Sequence, residues 1–171
     1  MKVTPAEAKA QVQGFLALRR TPLLFLEDGD GRGARLLETG SGQELRLRWE
    51  DLAAVEEKHS AERPAPWLVL LFEDGRQLAL ADVGFAFAPS PRNSGPLPEL
   101  PATACFRDLG TLLSGIDALL AGEGREAEAA RAFLVAIALV DGARDAGFVV
   151  AREERALEER LGRLEERGVP R

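Results

Sequence analysis

Few residues in this chain of 171 could do chemistry: there is one histidine, one cysteine and no tyrosine, so acid–base work would fall mainly to carboxylates and arginines. The run Asp28-Gly29-Asp30-Gly31-Arg32-Gly33 has acids at the first and third positions of a calcium loop and glycine at the sixth. Arg32 stands at the fifth, however, and Thr39 at the twelfth, where a bidentate acid belongs. A phosphate cradle would need a Gly-Lys-Ser/Thr sequence, which is missing, and the run's own carboxylates would repel phosphate. It reads as a glycine-rich hairpin loop.

His59 sits among Glu56, Glu57, Lys58, Ser60 and Glu62 and reads as a solvated surface histidine. No serine stands in a GxSxG elbow, and nothing near His59 marks a triad. Cys105 lies where an apolar strand-like stretch gives way to a helix, the setting of a buried, inert thiol. Asp141 and Asp145 would share a face if their helix continues, with Arg144 able to orient one of them, but a carboxylate pair alone does not define an acid catalyst. One histidine and one cysteine exclude multi-histidine sites, cysteine-rich zinc sites and an internal disulfide. We therefore expect no catalytic residue, cofactor or metal, and a reducing compartment, the cytoplasm.

The charge distribution narrows the partners. With 22 basic and 28 acidic side chains the net charge is −6, and the stretches 1–105 and 106–171 each net −3. The arginines are scattered among acids without an aromatic platform, which argues against nucleic acid. In the C-terminal stretch Arg152, Arg155, Arg160, Arg163 and Arg167 are matched by glutamates, the pattern of a solvated face rather than of an anionic-membrane binder. The opening residues lack the apolar core of a signal peptide. The apolar run Ala132 to Val140 is too short for a membrane span, which takes roughly 20 residues.

The elements that must position these residues follow from periodicity. Thr4-Pro5-Ala6-Glu7 is a helix start with a capping box, opening a helix over about residues 4–19 with Ala8, Val12, Phe15 and Leu16 on one face. Leu23 to Glu27, Ala34 to Thr39 and Glu44 to Trp49 read as strands; in the third, Arg46 and Arg48 alternate with Leu45, Leu47 and Trp49, one face in a core and one in water. Trp67 to Glu73 and Arg76 to Ala81 form a hairpin across Asp74-Gly75, expected as a two-residue type I′ turn, and Val83 to Ala88 adds a strand. Ala88 to Pro101, with five prolines and a PxxP spacing at Pro98 and Pro101, reads as a long surface loop. Phe106 to Leu120 is an amphipathic helix. Ala127 to Val140 is a helix apolar on nearly all sides, Gly142 and Gly147 frame a turn, and a charged helix runs to about Arg167 with a Leu157, Leu161, Leu164 seam.

The stretch Leu45-Arg46-Leu47-Arg48-Trp49-Glu50-Asp51-Leu52-Ala53-Ala54-Val55, followed by the hairpin Trp67 to Leu80 and the helix Phe106 to Leu120, resembles bacterial pleckstrin-homology-like domains over residues 22–121. The resemblance implies a curled barrel of about seven strands capped by an amphipathic helix and used for binding. In the lipid-binding branch basic residues line the first hairpin loop. Here that loop is mostly acidic, so the resemblance points away from phosphoinositides and toward a protein ligand.

The expected architecture is α+β: an N-terminal helix (1–21), a small antiparallel β-barrel or sandwich with a capping helix (22–121) and a C-terminal helical pair (122–171). The expected function is a non-enzymatic cytoplasmic adaptor that pairs as a homodimer through Phe133, Ile137, Val140, Leu157, Leu161 and Leu164. The alternative packing places those residues in an intramolecular bundle. Alternative functions are a small acidic chaperone holding a partner polypeptide, or an enzyme whose site assembles from scattered Asp, Glu and Arg.

Overall fold

The computed structural model describes residues 2–61, 65–90 and 100–168. The central part of the proline-rich loop, including Pro98 of the PxxP spacing, lies outside them. Among the described residues four helices and two antiparallel sheets make the fold α+β, and the chain divides into two units, Met1–Phe87 and Ala88–Arg171.

The first unit opens with α1 (Pro5–Leu18), started as its sequence dictates: the Thr4 hydroxyl accepts from the Glu7 amide, and Glu7 answers by accepting from the Thr4 amide. Then come β1 (Leu23–Glu27), β2 (Gly33–Glu38) and β3 (Glu44–Arg48), paired in that order. A single 3-10 turn, Trp49–Asp51, leads into β4 (Leu52–Lys58), β5 (Trp67–Phe72), β6 (Gln77–Ala81) and β7 (Gly84–Phe87), each paired with the next. β4 is absent from the sequence-based strand assignment because Ala53, Ala54, Glu56, Glu57 and Lys58 are types depleted in strands, and pairing with the apolar β5 overrides that preference.

Alternation places Leu36, Leu45, Leu47, Leu70, Leu78, Leu80 and Phe85 in the core, with Trp49 fully buried and stacked on Phe25. Each large apolar side chain so buried contributes about 1.5–3 kcal/mol. α1 packs against β1 and β4, with ion pairs from Lys9 to Glu27 and from Arg19 to Glu57, and so guards strands that would otherwise end a sheet.

The Trp67–Ala81 hairpin has the expected pairing, Leu68 with Leu80 and Leu70 with Leu78, but not the expected turn. Phe72 and Arg76 close the ladder, leaving three residues in the loop, and Gly75 alone among them has a positive φ, +91°. Asp74 need not enter the left-handed region. Its carboxylate instead accepts from the Arg76 amide at 3.0 Å, the main cause holding it below its ordinary pKa, and pairs with the Arg76 guanidinium at 2.7 Å.

The second unit contains α2 (Phe106–Ala121), α3 (Glu126–Asp145) and α4 (Ala151–Glu166), each packed on the other two. α3 runs straight through Gly142, correcting the turn expected there. A Cβ at Gly142 would collide with the carbonyl oxygen of Ala88, and the neighbouring Ser90 amide donates to the Ala138 carbonyl at 2.9 Å. Gly142 thus lets an extended backbone lie on the helix. The stop comes at Gly147, whose φ of +101° closes a Schellman motif with the Gly147 and Phe148 amides donating to Arg144 and Ala143.

Candidate functional site

The chemistry-bearing residues stay apart. The Asp28–Gly33 loop closes on itself: the Gly31 amide donates to the Asp28 carbonyl and the Arg32 amide to the Asp30 carboxylate, both at 3.0 Å. His59 is exposed, 4.0 Å from Glu57. Cys105 is buried at the N-cap of α2, its thiol donating to Asp108 at 3.2 Å, and burial above all pushes its pKa up, the state of an unreactive thiol. Among the described residues no three potential ligands cluster to hold a metal, and no helix is long and apolar enough to cross a membrane.

Asp141 and Asp145 do share a continuous helix, and Arg144 holds Asp141 at 2.6 Å. The same guanidinium reaches Glu154 of α4 at 2.5 Å, the leading cause of its raised pKa. This network ties α3 to α4.

Of the residues expected to drive self-association, Phe133, Val140, Leu157 and Leu164 are buried, while Ile137 and Leu161 are half-buried. They belong to helices that pack on one another within the chain. The arginines of α4 depart further from expectation. Arg160 pairs with Asp117 of α2 at 2.8 Å and donates to the Leu113 carbonyl at 3.3 Å; Arg163 takes the other oxygen of Asp117 at 2.7 Å. Arg167 donates to the carbonyls of Leu120 and Gly122, groups that the end of α2 leaves without helical partners. These three positions, spaced three and four apart, lie on one side of α4 and reach α2, so for them the expected solvated face is corrected to an interhelical clamp, while Arg152 and Arg155 are exposed as expected.

Among the described residues, one surface open for recognition is the outer face of β1–β3. Register puts Leu24 beside Leu37 and Leu26 beside Arg35, while Arg35 stands directly opposite Arg46 on β3. Leu24 is 50% and Leu26 43% exposed, Leu37 is half-buried, and the arginines, with Arg48 farther along the face, are exposed. Exposed ion pairs join Arg35 to Glu44 at 3.4 Å and Arg48 to Glu50 at 3.2 Å. Like charges opposite each other across an antiparallel pair repel, so Arg35 and Arg46 do not stabilise the sheet by their juxtaposition. The alternation of Arg46 and Arg48 was visible in the sequence. What was not visible was the register that lays Leu24, Leu26, Leu37 and Arg35 beside them.

Searches against protein-family models, curated proteins and solved structures find no match to this chain.

Proposed function

We propose that the chain is a non-enzymatic, cytoplasmic protein-interaction module of pleckstrin-homology-like type, an adaptor that recognises its partner on the outer face of β1–β3. The observation that carries this reading is the exposure of Leu24 and Leu26 on a strand whose neighbours present Arg35 and Arg46. Two large apolar side chains held in water on a rigid sheet, rimmed by guanidinium groups, have the composition of an interface core and its polar border. The pleckstrin-homology-like part is supported by element order: three paired strands and then four in the first unit, followed in the chain by a two-residue strand, Ala104–Cys105, and the amphipathic helix α2. In that reading the two sheets of the first unit curl toward a barrel. The buried carboxylate of Glu38 on β2, accepting from the Phe85 amide of β7 at 2.8 Å, is a contact between sheets that such curling requires.

The test compares a tagged wild-type chain with a Leu24→Ser, Leu26→Ser variant of unchanged thermal stability. Specific partners retained by the wild type should be lost by the variant. Identical retained sets from both would remove this face from the function.

Self-association through the C-terminal helices is the narrower part of the proposal. It rests on Leu134, exposed on α3, and on the half-buried Ile137 and Leu161. A dimer seen by light scattering and dispersed by Leu134→Glu would support it. A monomer at high micromolar concentration would remove it.

A further inference from the structure

We infer that the outer face of β1–β3 takes an acidic amphipathic helix from a partner protein, an inference that rests on the interaction reading above and names the occupant's chemistry. The face is divided lengthwise. Leu24 and Leu26 lie on β1, Arg46 and Arg48 on β3, and β2 between them carries both Leu37 and Arg35. A ligand aligned with the strands therefore meets an apolar strip on one side and a basic strip on the other.

The dimensions suit one helix. Three strands put β1 about 10 Å from β3, close to the helix diameter of about 10–12 Å. Strands of five to six residues run for about 17–20 Å, room for about three helical turns. An extended peptide fits less well, because the side chains it lays on one surface form a single row, whereas the face offers two strips side by side. A helix with an apolar stripe and acids along one flank presents both to the same surface.

Charge decides which anion. The basic strip is short, bounded by Asp28 and Asp30 in the β1–β2 loop and by Glu44 at the start of β3. A nucleic-acid backbone or an anionic bilayer would overlie those carboxylates and meet a chain of net charge −6. Two or three carboxylates on one helix flank reach the arginines alone. They also relieve the repulsion between Arg35 and Arg46, since Arg35 already faces Glu44 and Arg46 then faces an acid as well.

The probe is a fluorescent helical peptide of about three turns, with leucines along one stripe and glutamates on one flank, titrated by anisotropy against the full chain. Peptides with glutamine or lysine on that flank serve as controls. The glutamate peptide should bind at least about tenfold more tightly than the glutamine peptide. Arg46→Glu should weaken it by about tenfold or more without lowering thermal stability, and Arg46→Glu with Arg48→Glu should reverse the preference toward the lysine peptide. Equal binding of the glutamate and glutamine peptides, indifference to Arg46→Glu, or no binding at millimolar peptide would overturn the inference. So would Arg46-dependent binding to phosphatidylserine vesicles in place of the peptide. If natural partners are lost with Leu24→Ser, Leu26→Ser but kept with Arg46→Glu, the interaction face stands and the acidic-helix occupant falls.

Discussion

In the unit that ends at Phe87 the arginines of β2 and β3 point away from the core and meet at most exposed acids, whereas in the unit that begins at Ala88 the arginines of α4 reach across to α2. Their local sequences look alike: Arg46 and Arg48 alternate with leucines, and Arg160 and Arg163 flank Leu161. Secondary structure separates their fates. In a strand the period of two puts each arginine on the face opposite its leucine neighbours, so a buried leucine row guarantees an exposed arginine row. On a helix, residues three and four apart share a side, so Arg160, Arg163 and Arg167 border the same seam as Leu157 and Leu164 and find the carboxylate and free carbonyls of α2. An outward row is available to a partner; an inward row is already used.

Three substitutions probe this contrast, and the molecule carries its own reporters: both tryptophans, Trp49 and Trp67, lie in the first unit and the single cysteine lies in the second. The largest effect is expected at the inward-facing charge of the first unit. Glu38→Ala leaves the buried Phe85 amide without its acceptor and should destabilise by about 2–3 kcal/mol, read as an early loss of tryptophan fluorescence in denaturant. An unchanged midpoint would show that the inter-sheet hydrogen bond contributes little. Next comes Arg160→Ala. Its guanidinium side chain is 14% exposed but Asp117 is 41% exposed, so solvent screening reduces the loss to about 1–2 kcal/mol. The readout is Cys105, whose protonated, buried thiol should react slowly with a disulfide reagent in the wild type and faster in the variant. Equal thiol reactivity would mean that the clamp does not hold this unit closed. The smallest effect belongs to Arg46→Ala, which should change stability by no more than about 0.5 kcal/mol, toward stabilisation because a like-charge pair disappears. A clear destabilisation would show that Arg46 supports the sheet and would undo the contrast between outward and inward arginines.

Several parts of this plan are legible in the sequence, for local reasons. The start of α1 depends on Thr4, Pro5 and Glu7 alone. The pairing of β5 with β6 follows from two apolar runs on either side of Asp74-Gly75. The turn type is not legible there, because an Asp-Gly pair serves two-residue and three-residue loops alike, and only the pairing of Phe72 with Arg76 distinguishes them. β4 is not legible either, because its alanines and glutamates carry little strand preference and its partner decides.

The α+β class, the helix periods and the alternation that sorts inward from outward residues follow from the order of amino acids alone, because each depends on chemistry within a few neighbouring positions. What those residues meet depends on segments far apart in the chain. Gly142 reads as a helix breaker until the Ala88 backbone is found lying against it. Glu38 is one more strand acid until its carboxylate is found on the Phe85 amide, 47 residues away. The α4 arginines look matched by their own glutamates until Asp117 and the carbonyls of α2 come within reach. The leucine–arginine face of β1–β3 is likewise assembled by register between strands, which the loop closing each hairpin and the buried leucine row set together.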